Sequence, residues 1–389
     1  MDLTIQPGSL RGKIHIIPSK SQAHRLLICA AFANNETTLV CPETNRDIEA
    51  TVDCLNALGA DIVRTDSGYS IDPISVIPAS AVLNCCESGS TLRFMLPIVG
   101  ALGVDATFQM AGRLPQRPLS PLWEEMERMG CTLTRPTADT IRCTGKLKAG
   151  NYLIDGGVSS QFITGLLFAL PLIDGKCSLE ITGKVESKPY IELTCHALRL
   201  FDAPNYHTPG YLEVEGDWSN GAFFLAAKAL GNDVDVLNLN PDSAQGDRAV
   251  VNVLNQLEAG MPTVSAADIP DLVPILSVVA AEKHGAVFTD IQRLRLKESD
   301  RVSSTVAMIE NLGGKAEADE NTLTIYGTGL TGGTVDAVND HRIAMSAAIA
   351  ATVCKQDVTI LGAECVKKSY PRFWEEYARL GGNYELNIR

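Results

Sequence analysis

The sequence predicts a mixed α/β (α+β) protein of two similar domains, with its helices buried inside and its sheets outside. Three observations carry that expectation: the length, a helix-glycine-strand pattern found three times in each half, and helices that lack a polar face. At 389 residues the chain exceeds what one hydrophobic core organises, so two domains of roughly 150–200 residues each are expected. The recurring pattern ends a helix on Leu or Met and Gly and then starts a strand. It reads CLNALGADI from Cys54, MERMGCTL from Met126, MIENLGGKAEA from Met308 and YARLGGNYE from Tyr377. Degenerate copies are LRLFDAPNY from Leu198 and LNQLEAGM from Leu254. Each reads as an amphipathic helix stopped by a left-handed glycine or its substitute and followed by an extended segment. A chain of unrelated αβ connections would produce the same pattern, so spacing alone leaves both readings open.

Between these helices, TFQMAGR, TIRCTG, CSLEITG, GAVFTDI and TLTIYGTG are short β-rich pieces bounded by glycine. Near the midpoint, in YLEVEGDWSNGAFFLAAKAL, a strand meets Asp217 and a helix is expected to start on a Ser219-Asn220 cap. That helix and HRIAMSAAIAATV, from His341, are rich in small residues along most of their length. A helix without a polar face is buried on all sides, which places helices inside and sheets outside.

Composition narrows the function classes. The net charge of 33 − 46 = −13 repels a phosphate backbone, so no nucleic-acid partner is expected, and no stripe of alternating aromatic and basic residues argues otherwise. The amino terminus lacks the basic-then-apolar pattern of a signal peptide, and no apolar run approaches the roughly 20 residues that span a bilayer. A cytoplasmic protein with no membrane partner is expected. The eleven cysteines are odd in number and scattered, with adjacent Cys85 and Cys86 but no C-x-x-C, so reduced thiols are expected rather than a disulfide framework or a zinc cage.

Against that acidic background, cations gather at helix starts. IIPSKSQAHR puts Lys20, Ser21 and Arg25 at a helix opening near Ser21, where free amides and the positive end of the dipole favour an anion. ESGSTLRF leads through Gly89, which lets backbone approach an anion closely, to Arg93. GRLPQRP holds Arg117 between prolines, GGVSSQF puts Ser159, Ser160 and Gln161 ahead of an apolar helix, and SKPY supplies Ser187 and Tyr190. In the second half DIPDLVPIL carries Asp271, NDHRIAM carries His341 and Arg342, and KKSYPRF carries Lys368. RLRLKESDR crowds Arg293, Arg295, Lys297, Glu298 and Arg301 into one short stretch. Each alone reads equally well as a capped helix start or a turn. Together, in an acidic chain, they point to a polyanionic ligand.

At these residues the chain resembles the enolpyruvyl transferases, and among them the branch that acts on shikimate 3-phosphate. The resemblance runs end to end through SKSxxxR at Ser19, the segment from Gly89 to Arg93, Arg117-Pro118, VSSQF at Val158, SKPYI at Ser187, AQGD at Ala244, Pro270-Asp271, LKESDR at Leu296, NDHR at Asn339 and K-x-x-P at Lys368. It implies two domains, each of three βαβαββ units in an inside-out α/β barrel, with residues 15–213 in the first and residues 1–14 with 214–389 in the second. It implies transfer of an enolpyruvyl group from phosphoenolpyruvate to shikimate 3-phosphate on the way to chorismate and the aromatic amino acids. By the same resemblance Asp271 takes the ring hydroxyl proton, Glu298 serves the methylene carbon and Lys20 is a third participant. Shikimate 3-phosphate would rest on Lys20, Ser21, Arg25, Ser159, Ser160, Gln161, Ser187, Tyr190, Asp271 and Lys297. Phosphoenolpyruvate would rest on Lys20, Gly89, Arg93, Arg117, Gln161, Arg301, His341, Arg342 and Lys368. Arg295 is expected to be structural. The resemblance implies no metal, no organic cofactor and a monomer.

Two other readings stay open at this point. A sister transferase acting on a UDP-amino sugar shares the fold, but usually has a cysteine in the loop matching GRLPQRP, which has none here. A non-catalytic anion or nucleic-acid binder built on the same repeat is disfavoured by the net charge of −13.

Overall fold

A computed structural model describes residues 1–387. The chain divides into two compact units, one made of Met1–Ile17 with Gly216–Arg389 and the other of Pro18–Glu215. We call them the split unit and the inserted unit. The crossings fall at 17/18 and 215/216, against 14/15 and 213/214 expected from the sequence. Backbone hydrogen bonds account for their position: Asp217 donates to the Ile17 carbonyl at 2.9 Å within the split unit, and Ser19 donates to the Glu215 carbonyl at 2.8 Å within the inserted one.

The split unit opens with β1 (Asp2–Gln6) and β2 (Arg11–His15). The inserted unit then runs α1 (Lys20–Ala31), β3 (Thr37–Val40), α2 (Arg46–Ala57), β4 (Asp61–Arg64), β5 (Gly68–Asp72), β6 (Ser80–Asn84), α3 (Gly89–Leu102), β7 (Asp105–Gln109) and α4 (Leu122–Arg128). It continues with β8 (Cys131–Thr134), β9 (Thr140–Gly145), β10 (Asn151–Asp155), α5 (Ser160–Ala169), β11 (Ser178–Thr182), α6 (Lys188–Leu200) and β12 (Tyr211–Glu213). The split unit resumes with α7 (Trp218–Ala229), β13 (Asp233–Leu237), α8 (Val250–Ala259), β14 (Thr263–Ser265), α9 (Val273–Glu282), β15 (Ala286–Thr289) and α10 (Arg301–Asn311). It ends with β16 (Lys315–Ala318), β17 (Thr322–Tyr326), β18 (Gly333–Asp336), α11 (His341–Ala350), β19 (Val358–Leu361), α12 (Phe373–Arg379) and β20 (Asn383–Asn387).

The repeat is real, and it is the sheets that show it. In the inserted unit β6, α3, β7, α4, β8 and β9 form a βαβαββ copy whose sheet order is β6-β7-β9-β8, parallel between β6 and β7 and antiparallel beyond. The split unit repeats this order as β14-β15-β17-β16. A second copy in each unit borrows a strand from far along the chain: β12 completes β12-β3-β5-β4, and β1 completes β18-β19-β1-β20. The third copy in each unit is a parallel pair alone, β10 with β11 and β13 with β2.

The helix-ending pattern follows this division. Its four clear copies end α2, α4, α10 and α12, each leading into the outermost strand of a four-stranded sheet. Their glycines Gly59, Gly130, Gly313 and Gly381 have φ of 103°, 117°, 85° and 98°, a region open to glycine and costly for other residues. The two degenerate copies end α6 and α8, the second helices of the shortened copies.

Helices α3, α5, α9 and α11 are buried along nearly all their length. Small residues permit this. A Cβ at Gly165 of α5 would lie 2.2 Å from the Arg93 carbonyl of α3, so the two helices touch backbone to backbone at Arg93. One local expectation is corrected: α7 is capped by Asp217, whose carboxylate accepts from the Asn220 amide at 2.8 Å, and Ser219-Asn220 lie inside the helix. An aspartate is the stronger acceptor for the orphan amides of a first turn.

Candidate active site

In the inserted unit the innermost helices α1, α3 and α5 open on serine caps, Ser19, Ser88 and Ser159. Helix α1 therefore begins at Lys20, one residue before the expected opening at Ser21. Lys20 Nζ pairs with Asp47 Oδ2 at 3.0 Å. Asp47 lies in the first turn of α2, where the Asn45 side chain caps the Asp47 and Ile48 amides at 3.1 Å. One turn along α1, the Arg25 guanidinium is buried among neutral oxygens. It donates to the Ser21 carbonyl at 2.7 Å, the Tyr190 carbonyl at 2.9 Å and Thr194 Oγ1 at 2.8 Å. Burial pulls its pKa down to about 10, which still leaves it charged at neutral pH. Tyr190 thus serves Arg25 through its backbone.

At the start of α3, a Cβ on Gly89 would lie 2.6 Å from one guanidinium nitrogen each of Arg93 and Arg117. The absent side chain lets both cations press on the helix N-terminus, where the amides already favour an anion. The α3–α5 contact places Gln161 beside this spot: Arg93 Nη1 donates to Gln161 Oε1 at 2.9 Å, and Gln161 Nε2 donates to Ser90 Oγ at 3.0 Å. Ser187, buried at the opening of α6, has φ 55°, a left-handed conformation uncommon outside glycine. Ser160 lies in the first turn of α5.

The split unit gathers charges of both signs. Arg301 is fully buried at the start of α10 and meets three carboxylates: Asp340 Oδ2 from Nε at 3.0 Å, Asp271 Oδ1 from Nη1 at 2.8 Å and Glu298 Oε2 from Nη2 at 2.6 Å. Asp271 also accepts from Arg342 Nη2 at 2.9 Å and has Lys297 Nζ at 3.6 Å. Burial alone would raise the Asp271 carboxyl, but Arg342, Lys297 and Arg301 outweigh it and hold it well below the usual range. Burial, with repulsion from Arg301 and Arg293, brings Lys297 down to about 8 against the pull of Asp271 and Glu298. Asp340 is the cap of α11 and also accepts from Ser299 Oγ at 3.0 Å. His341 and Arg342 follow it in the first turn, and Lys368 Nζ donates to the Asn339 carbonyl at 2.9 Å. Val338 and Asn339, with φ of 45° and 59°, are consecutive left-handed residues ahead of that cap. Arg295 stands aside, donating to the Asp319 carbonyl at 2.8 Å and facing Asp300 at 3.4 Å.

The structure therefore brings Lys20, Ser21, Arg25, Gly89, Arg93, Arg117, Ser159, Ser160, Gln161, Ser187 and Tyr190 to the helix starts of one unit, and Asp271, Lys297, Glu298, Arg301, His341, Arg342 and Lys368 to loops and helix starts of the other. Residue-level reading missed Asp47, Asp247 and Asp340. Asp247 is buried, accepts a hydrogen bond from Ser219 Oγ, and is pushed up to about 6 by burial and by Asp271. Asp247 and Asp340 lie within AQGD and NDHR, where an acid between a small residue and a helix start was the available signal. Nothing near Asp47 marked it. Among the described residues no cluster of His, Cys, Asp and Glu is placed to hold a metal ion, and no helix is long and apolar enough to cross a membrane.

Residues 5–377 match the family model described as EPSP synthase (3-phosphoshikimate 1-carboxyvinyltransferase). The chain is 36% identical to the 3-phosphoshikimate 1-carboxyvinyltransferase of Clostridium kluyveri, covering 98% of each. It is also 36% identical to that of Clostridium beijerinckii, covering 99% of this chain and 98% of the relative. Its fold is similar to the solved structure of EPSP synthase from Acinetobacter baumannii, with a TM-score of 0.79 at 23% identity over the full length of both.

Proposed function

The chain belongs to the EPSP synthase family, and from that premise we propose which of its residues carry the reaction. The protein is a 3-phosphoshikimate 1-carboxyvinyltransferase: it transfers the enolpyruvyl group of phosphoenolpyruvate to shikimate 3-phosphate and releases phosphate, in the shikimate pathway to the aromatic amino acids.

Shikimate 3-phosphate rests mainly on residues 15–213, on Lys20, Ser21, Arg25, Ser159, Ser160, Gln161, Ser187 and Tyr190, and also on Asp271 and Lys297. Phosphoenolpyruvate is held by Arg93, Arg117, Lys20, Gln161 and the Gly89 amide, and by Arg301, His341, Arg342 and Lys368 from residues 214–389. Planar guanidinium groups suit its carboxylate and phosphate because each can donate two parallel hydrogen bonds.

In the addition step the ring hydroxyl gives its proton to Asp271 as its oxygen bonds the carbon that bears phosphate. Glu298, with Lys20, delivers a proton to the methylene carbon, making it a methyl group. Elimination then breaks the carbon–phosphate oxygen bond, returns a proton from the methyl group and releases phosphate. What supports this reading most is the environment of Asp271, gripped at 2.8 and 2.9 Å by two guanidinium groups. As it stands that carboxylate is a weak base. When the anionic groups of phosphoenolpyruvate draw charge from Arg301 and Arg342, its hold on a proton rises toward the value a general base needs.

Incubation with phosphoenolpyruvate and shikimate 3-phosphate should release phosphate, and replacing the second substrate by UDP-N-acetylglucosamine should release none. Release only with the UDP-sugar would reverse the assignment. A cytoplasmic monomer completes the reading, checked by sedimentation and cell fractionation.

A further inference from the structure

Beneath the first turns of α1, α2 and α3 the inserted unit buries a line of hydrogen-bonding side chains that the steps above leave unused. His24, on α1 between Lys20 and Arg25, is 1% exposed. Its Nδ1 lies 2.7 Å from Thr51 Oγ1 on α2, which lies 2.7 Å from Thr91 Oγ1 on α3. The Thr91 hydroxyl donates to Ser88 Oγ at 2.8 Å and is 3.4 Å from the Asp47 carbonyl. Ser88 caps α3, accepting from the Thr91 amide at 3.2 Å. Thr51, Thr91 and Ser88 are fully buried.

Counting protons gives the line a direction. Thr91 has one hydroxyl proton, and both groups it donates to, Ser88 Oγ and the Asp47 carbonyl, lie away from Thr51. The Thr51–Thr91 link must then use the proton of Thr51, and the link from His24 to Thr51 must use a proton on Nδ1. The far ring nitrogen, Nε2, is buried with no hydrogen-bond partner. A proton there would be a buried, unsatisfied donor, whereas an empty Nε2 is only an unused acceptor. Burial first, and then Lys20 and Arg25, disfavour a second proton on the ring. Edge-on packing against Phe94, centroids 6.3 Å apart, fixes the ring plane.

We propose that His24 is a positioning residue: a neutral Nδ1–H imidazole that drives a one-way hydrogen-bond line through Thr51 and Thr91 to Ser88, and so fixes the opening of α3 with Gly89 against the Lys20–Asp47 pair. The role rests on the assignment of Gly89 and Lys20 to phosphoenolpyruvate. It explains why a histidine stands between two cations, where burial and both neighbours disfavour its charged form.

The first test is spectroscopic. In the free full-length protein labelled with ¹⁵N-histidine, the His24 ring should be the neutral Nδ1–H tautomer; an Nε2–H ring or an imidazolium would overturn the proposal. The second is kinetic. His24→Asn keeps a donor where Nδ1 stood and should hold the KM for phosphoenolpyruvate within about twofold, while His24→Leu and the near-isosteric Thr51→Val should raise it roughly tenfold and raise the KM for shikimate 3-phosphate by less, since of the residues assigned to it only Lys20 meets the line. The Leu and Val changes together should cost no more than either alone, because both break one line. A folded Thr51→Val with the wild-type KM would overturn the role, and it answers even if His24→Leu fails to fold. A Lys20→Met variant with full activity would overturn the site assignment and this role with it, whereas the wrong tautomer would overturn the role alone.

Discussion

The two units hold their buried arginines in opposite ways. In the inserted unit Arg25 donates to carbonyl and hydroxyl oxygens, and the inner helices carry serine caps. In the split unit Arg301 meets three carboxylates, and α7, α10 and α11 carry aspartate caps. A guanidinium among neutral acceptors keeps its full positive charge. One among carboxylates has its charge offset by them, and it decides where those carboxylates stand and whether they hold protons. One half surrounds its buried guanidinium with neutral oxygens, and the other uses its own to hold acids in defined protonation states. The same repeated scaffold supports both, because the caps and pairs lie at helix starts, where sequence can change without disturbing the sheets.

The contrast can be broken most severely at Asp271. Asp271→Asn should lower kcat by about 10²- to 10⁴-fold, read as phosphate release, if its carboxylate moves the proton. A fall of only a few-fold would reduce it to a bystander. Next comes stability. Arg301→Met removes the cation shared by Asp340, Asp271 and Glu298 and should cost about 3–5 kcal/mol in denaturant unfolding. Arg25→Met strands no carboxylate and should change unfolding by about 1 kcal/mol or less while raising the KM for shikimate 3-phosphate. Equal losses from the two arginines would erase the distinction between the units.

Acid–base behaviour sharpens it further. The Asp247 carboxyl is raised from 3.8 to about 6 in the folded protein, so it binds its proton more tightly folded than unfolded. Its contribution to stability is full below about pH 4 and is lost as pH rises to about 6, a change of about 3 kcal/mol. Unfolding of wild type and Asp247→Asn followed across that window should diverge in favour of the variant as pH rises. Asp271 has the opposite sign: its contribution is present above pH 3.8 and is lost as pH falls toward its lower folded value. The smallest effect concerns Lys297, which loses its charge near pH 8. kcat/KM for shikimate 3-phosphate should fall as pH passes that value, and Lys297→Met should remove the dependence.

Much of the fold is written locally. Each LGG or LGA ending that reads as a helix stop stands before a strand, because glycine alone accepts the left-handed turn there at little cost. The degenerate endings LFDAP and LEAG turn out to mark the shortened copies, a distinction visible in the letters but unreadable without the sheets they serve. Several helix starts were legible as serines ahead of apolar runs, but α1 opens one residue earlier than expected, and at α7, where Asp217, Ser219 and Asn220 compete, only the backbone chooses Asp217. Of the site, the cations stood out because they run against the net charge. Asp47 did not, since an acid in the first turn of a helix is ordinary, and only the packing of α2 against α1 brings it to Lys20.

By itself the sequence determined the alternation of helices and strands, the helix stops and the gathering of arginines and lysines at helix starts, because these follow from backbone conformation, periodicity and charge within a few residues. Tertiary structure alone decided that β1 and β12 complete sheets begun elsewhere, that Arg301 joins three acids, and that His24 reaches Ser88 through two threonines. Those outcomes depend on which chain segments meet in space, and the protonation of a buried group is set by its neighbours across that space rather than along the chain.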